Sequence, residues 1–182
     1  MTKAPSVTAL IVEYRRAPEF PYPTQIEDMT SVYRELLARG YASRDITTIG
    51  DSAGGNLAMS TVLRLRQDDI PLPGGIITFS PWLDMKYSGE TLVTNDAKNA
   101  LVNTPFVKAM SEMFLGDAGR ADDPLAGSDE TLLDDARRLA DRARAAGVDV
   151  TLSIVDHMRH VFPILAGRAE EADQELARIS SR

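Results

Sequence analysis

The chain has 182 residues, of which 43% are hydrophobic and 26% charged, the range of one globular domain able to bury roughly 70% of its unfolded surface. Twenty basic against 27 acidic residues give a net charge of -7, which offers nothing to a phosphate backbone or an anionic membrane, so no nucleic-acid partner is expected. Zero cysteines exclude a disulfide framework, a thiol nucleophile and any thiolate metal site.

Val7 to Tyr14 is apolar and β-branched enough for a buried strand, and the proline-rich run that follows cannot continue it. Thr24 with Glu27 three residues on spells a capping box for a helix whose face is Ile26, Met29, Tyr33, Leu36 and Leu37 and whose stop is Gly40. Ile46 to Gly50 reads as a second strand, and Gly54 to Gln67, with Leu57, Val62 and Leu65 at helical spacing, as the next helix. Pro71, Pro73, Gly74 and Gly75 break the chain before a strand over Ile76 to Ser80. Thr104 and Pro105 suit an N-cap and first helical position for a helix reaching about Leu115, followed by the polar, solvent-exposed loop GDAGRADD. A helix over Leu132 to Ala146 stopped by Gly147, a strand over Val148 to Val155 and a terminal helix from about Val161 complete the series. Strand and helix alternate, which predicts a mainly parallel sheet with helices on both faces and no internal repeat or linker. No run approaches the roughly 18 apolar residues of a membrane helix, and Met1 to Pro5 lacks the basic and apolar parts of a secretory signal, so a cytoplasmic location is expected.

Gly50-Asp51-Ser52-Ala53-Gly54 fits G-x-S-x-G, placed between a strand and a helix as a nucleophile elbow requires. There Ser52 would sit on a strained turn with its hydroxyl exposed, and the N–H of Ala53 would face a developing oxyanion at the positive end of the helix. The plainer reading is a glycine-rich turn in which Ser52 only caps a helix. A serine hydroxyl needs a base, and the base a carboxylate to hold its tautomer. The chain has two histidines, His157 and His160, both on a loop beyond the last strand; either could also be an ordinary surface histidine. The segment Gly127 to Asp135 brings four carboxylates ahead of a helix, where most serve as solvated acids favoured by the helix dipole and one could orient the histidine.

With those residues in view, the chain resembles the hormone-sensitive-lipase-like carboxylesterases of the α/β-hydrolase fold. Glu13-Tyr14-Arg15-Arg16-Ala17-Pro18-Glu19 with Pro21 and Pro23 is similar to the family's YRLAPE-x-P-x-P segment, and Gly50 to Ala58 (GDSAGGNLA) to its elbow. Ser80-Pro81-Trp82-Leu83-Asp84 is similar to its SPW-x-D, Asp123-Pro124-Leu125-Ala126 is also familiar, and Met158-Arg159-His160-Val161-Phe162 matches M-x-H-x-F around the catalytic histidine. The resemblance implies a serine carboxylesterase acting on short-chain acyl esters or lactones without cofactor or metal, with Ser52 as nucleophile, His160 as base and Ala53 as a backbone oxyanion donor. Matching Asp134 and Asp135 to the family's paired acids puts Glu130 in the acid position, with Asp129 as the alternative; His157, Asp134 and Asp135 then take structural roles.

By this resemblance residues 1–182 form a single, truncated α/β-hydrolase catalytic domain. The HGGG oxyanion segment, first strands and N-terminal cap have no counterpart in the sequence, nor does an internal strand near 126–127. Most of the acyl pocket is expected to go with the cap, and sheet edges so exposed would favour a homo-oligomer. A catalytically silent fragment serving as a binding or assembly element is the alternative function.

Overall fold

The computed structural model describes residues 7–83, 85–86, 104–117, 119–127, 132–156, 158 and 160–180. Contacts divide the chain into two compact units, Tyr14–Ile154 and Met1–Glu13 with Val155–Arg182.

The first unit is built on a β-α-β crossover. Strands β1 (Thr47–Asp51) and β2 (Gly75–Phe79) pair in parallel from Thr47 opposite Gly75 to Asp51 opposite Phe79, and helix α2 (Ala53–Gln67) joins them and packs against both. Parallel neighbours need such a crossover, because a tight turn can join only antiparallel strands. Helix α1 (Thr24–Ala38) packs on α2, burying Ile26 and Tyr33 and leaving Met29, Leu36 and Leu37 half-buried, the face its spacing predicts. The Tyr33 hydroxyl donates to the Pro71 carbonyl at 2.8 Å, so this phenol keeps a partner when buried. Ile26 also meets Leu57 and Leu125 in one apolar cluster, while Trp82, Met85 and Val107 form another with Met110 and Phe114. Val107, Met110 and Phe114 lie on helix α3 (Thr104–Leu115), and α4 (Leu132–Ala145) ends in a turn where Gly147 takes φ +80°, the left-handed stop its sequence announces.

In the second unit a 3-10 turn over Phe162–Leu165 precedes α5 (Glu170–Ser180). The terminal helix therefore begins about nine residues later than predicted. Gly167, at φ +77°, interrupts the chain, and its N–H donates to the Asp173 carboxylate at 2.7 Å across the start of α5.

Three further expectations are corrected. Thr24 does not cap α1: it is the first helical residue, Pro23 holds the cap position, and no side-chain cap bond forms. The Pro23 carbonyl instead accepts the N–H groups of Ile26 and Glu27 at 3.0 and 3.2 Å. Val7 to Tyr14 belongs to no strand among the described residues, with Ile11 93% exposed. Val148 to Val155 likewise pairs with nothing among the described residues. A β-prone sequence states which side chains suit a pleated surface; a strand also requires a neighbouring backbone to receive its hydrogen bonds.

Candidate active site

Between β1 and α2 the chain must turn from strand to helix in a single residue, Ser52. Its backbone takes φ +47° and ψ -114°, a region sparsely populated by residues with a side chain and costing on the order of 1–3 kcal/mol. Three hydrogen bonds hold it there. The Ser52 N–H donates to the Phe79 carbonyl at the end of β2 (2.9 Å), and the Ser52 carbonyl accepts the N–H groups of Asn56 (3.2 Å) and Trp82 (3.0 Å). The elbow is thus fastened to both neighbours, the strand beside it and the segment after that strand. Ser52 occupies the cap position of α2 without a side-chain cap bond.

The glycines of the motif are not equivalent. A Cβ on Gly50 would overlap the Gly54 carbonyl and lie 2.8 Å from the Gly55 nitrogen, whereas a Cβ on Gly54 would meet only Asp51 Oδ1 at 3.8 Å, an ordinary contact. Gly55 is the second tight position, because a Cβ there would lie 2.9 Å from Pro81 Cβ. Gly50 and Gly55 let strand, elbow and the Ser80-Pro81-Trp82 segment come together. Ala53 is the first residue of α2, where main-chain N–H groups have no acceptor within the helix and the dipole favours negative charge.

Beside Ala53 lies a cavity of about 240 Å³ walled by Ile26, Leu57, Trp82, Met110 and Phe114 among others. An apolar recess is therefore present next to the elbow. Leu57 and Trp82 follow from the elbow and SPW segments, Met110 and Phe114 from α3. Gln25 and Asn56 add two amides to the lining, both with at most 5% of their surface exposed. Asn56 Nδ2 donates to the Ala126 carbonyl at 3.0 Å and its Oδ1 accepts the Ser60 hydroxyl at 3.0 Å, so this amide ties α2 to the DPLA segment.

Asp123, the first residue of that segment, accepts the Tyr22 hydroxyl at 2.7 Å and the Leu125 N–H at 2.9 Å. Burial, reinforced by this carboxylate, pushes the Tyr22 phenol well above its ordinary pKa. On the proline-rich segment, Arg15 clasps Asp28 of α1 through its N–H and guanidinium, with a shortest distance of 2.6 Å, and holds that carboxyl below its usual range. The recognised segments around the elbow are thus fastened to one another by side chains that carry no chemistry themselves.

His160 is half-buried in the second unit, and the next residue, Val161, takes φ +57° and ψ +33°, a genuine departure for a β-branched side chain. Ser52 and Ala53 stand together at the elbow in the first unit. Glu130, Asp129 and His157 lie outside the described residues, and Asp134 and Asp135 fall in the first turn of α4. No group of three or more His, Asp or Glu able to hold a metal ion occurs among the described residues, and none of their helices is long and apolar enough to cross a membrane. Gln25 lies off the predicted apolar face of its helix, so no spacing signal marks it, and the motifs that contain Asn56 and Asp123 assign neither a task.

A family described as the alpha/beta hydrolase fold matches residues 1–129. An esterase from Acinetobacter venetianus is 34% identical over 186 residues, covering 93% of this chain and 61% of that protein. An acetyl-hydrolase from Streptomyces hygroscopicus is 35% identical over 176 residues, covering 87% of this chain and 58% of that protein. The chain thus spans about three fifths of the length of these relatives. Among solved structures, an esterase from the bacterial hormone-sensitive lipase family is 39% identical with a TM-score of 0.87, over 93% of this chain and 62% of that one. A hormone-sensitive lipase from a metagenome library is 32% identical with a TM-score of 0.85, over 92% of this chain and 63% of that one. The chain belongs to the alpha/beta hydrolase family, and in sequence and fold it is similar to bacterial esterases of the hormone-sensitive lipase kind.

Proposed function

We propose that the chain carries the nucleophile, base and acid of a serine carboxylesterase acting on short-chain acyl esters or lactones. The Ser52 hydroxyl attacks the ester carbonyl carbon while His160 takes its proton; the tetrahedral oxyanion forms against the Ala53 N–H, and the bond to the alcohol breaks as His160 returns the proton to the leaving oxygen. Water, deprotonated by His160, then attacks the acyl carbon, and His160 returns that proton to the Ser52 oxygen as its bond to the acyl group breaks and the acid leaves. Glu130 accepts the other imidazole N–H and fixes the tautomer, with Asp129 as the alternative acid.

The observation that carries this reading is Ser52: a strained residue held by three backbone hydrogen bonds, with its side chain not spent on a cap. The kinship supports the reaction class, and the name of the Streptomyces relative, an acetyl-hydrolase, supports small acyl groups. So does the cavity, whose 240 Å³ falls below the roughly 300–1,000 Å³ typical of drug-sized ligand sites. Hydrolysis of p-nitrophenyl acetate tests the proposal. Turnover by the chain is expected, falling by about a thousandfold or more in Ser52→Ala and in His160→Ala. A folded chain with no turnover, or a Ser52→Ala variant as active as the parent, overturns it.

A further inference from the structure

The cavity beside the elbow carries charge at one residue. Among the described residues that line it, Tyr14, Gln25 and Asn56 are polar but neutral at pH 7, Arg16 is a cation, and there is no carboxylate. The Arg16 side chain has no hydrogen-bond or ion-pair partner among the described residues, whereas its neighbour Arg15 clasps Asp28 at 2.6 Å and lies over the Phe20 ring. Ile26, Leu57, Trp82 and Met85 form a buried apolar part of the lining, while Arg16 and Ala53 are exposed, so the wall meets solvent at Arg16 and beside the elbow. An unpaired guanidinium is costly to take out of water, so the stem of Arg16 covers apolar wall and its charged head stays at the rim. The YRLAPE segment, to which Tyr14 to Glu19 is similar, has leucine at this position. Leucine would cover the same wall with a smaller loss of side-chain freedom; what arginine adds is a planar, permanently charged fork of donors.

We infer that Arg16 makes the site selective for esters with an arm that ends in a carboxylate, such as hemiesters of dicarboxylic acids; this rests on the esterase reading above. The hydrocarbon part of the arm lies in the cavity, and the carboxylate meets the guanidinium at the rim. A carboxylate matches the fork with two parallel hydrogen bonds, and its single charge is balanced by the single cation. A phosphate dianion would bring a second charge that no described residue of the lining neutralises. The chain as a whole, at a net charge of -7, repels anions, so a preference for a charged ester requires a local cation. Arg16 is thus a specificity residue, remote in sequence from the elbow but on the same lining as Ala53.

The test is binding to the Ser52→Ala chain, which separates recognition from hydrolysis. One pair of esters varies the acyl arm, monoethyl glutarate against its primary amide, ethyl 5-amino-5-oxopentanoate; the other varies the alcohol arm, 4-acetoxybutanoate against 4-acetoxybutanamide. Each pair exchanges a carboxylate for an amide of the same shape. In at least one pair the carboxylate is expected to bind about fivefold more tightly by NMR titration at low salt, and the margin to shrink as salt is added. Adding Arg16→Leu, the residue of the YRLAPE segment, is expected to abolish the preference or turn it toward the amide, and Arg16→Lys to keep part of it. Equal binding within both pairs, or no binding of either carboxylate, overturns the inference, and equal binding is the result of an arginine that only covers apolar wall. A preference that survives Arg16→Leu overturns it as well, by placing the cation elsewhere. Should that variant not fold, Arg16→Gln, which keeps much of the stem without the charge, decides in its place. A carboxylate preference in binding together with no turnover by the parent chain would sink the esterase reading and leave anion recognition standing; turnover by the parent with equal binding would do the reverse.

Discussion

The G-x-S-x-G pattern treats its two glycines alike, and their surroundings do not. Gly50 faces the carbonyl of Gly54 so closely that a single methyl group cannot be placed without moving the elbow, whereas the site of Gly54 is open. Gly50→Ala is expected to cost about 3 kcal/mol of stability, the upper range for forcing extra volume into a packed site, and to lower esterase activity with it. Gly54→Ala is expected to change stability by less than about 1 kcal/mol, since alanine is the better helix former and meets only an ordinary contact. Chemical denaturation of both variants checks the contrast; equal losses would show that the strand-to-helix turn can relax.

Among the elements, helices α1 to α4 and the β-α-β crossover were legible in the sequence because their signals are local. The apolar face of α1, the glycine after α4 and the run from strand through elbow into α2 each lie within a few residues. The unpaired stretches at 7–14 and 148–155 were not, because pairing depends on a backbone brought from elsewhere in the chain. The cross-links between motifs were hidden for the same reason. Asn56 and Ala126 are 70 residues apart, Tyr22 and Asp123 are 101, and no pattern of spacing announces either bond. Asn56→Ala is expected to destabilise the chain by about 2 kcal/mol, since it removes the partners of a buried carbonyl and a buried hydroxyl together. It should also lower kcat more than it raises KM, because it frees the chain just ahead of the proposed acid at residue 130. A melting temperature unchanged from the parent would contradict this role.

At the scale of the whole molecule, carboxyls and phenols give the fold opposite responses to pH. Asp28 has its carboxyl lowered, chiefly by hydrogen bonds from Arg15, so its contribution is present above the unfolded value near 4 and is lost as pH falls through the lower folded one. The pair is partly exposed, so the effect is small and weakens with salt. Tyr22 is the reverse. Burial and Asp123 raise its phenol, so its stabilisation is complete below about pH 10 and is lost progressively as pH climbs toward the raised value. Melting temperatures are therefore expected to fall below pH 4 and above pH 10, with Asp28→Asn reducing the acid limb and Tyr22→Phe the alkaline one; exposed Asp122, lowered chiefly by its hydrogen bond from Arg120, should leave a weak acid slope in Asp28→Asn. Buried Tyr33 is raised as well and should leave a residual alkaline slope in Tyr22→Phe.

All of this converges on one hydroxyl. Treating the folded chain with an alkyl p-nitrophenyl phosphonate, then weighing it intact and mapping its peptides, tests that most directly. One adduct per chain on the peptide containing Ser52, absent from Ser52→Ala, is the expected result. A folded chain that gains no mass, or that carries the adduct at another residue, would contradict the account.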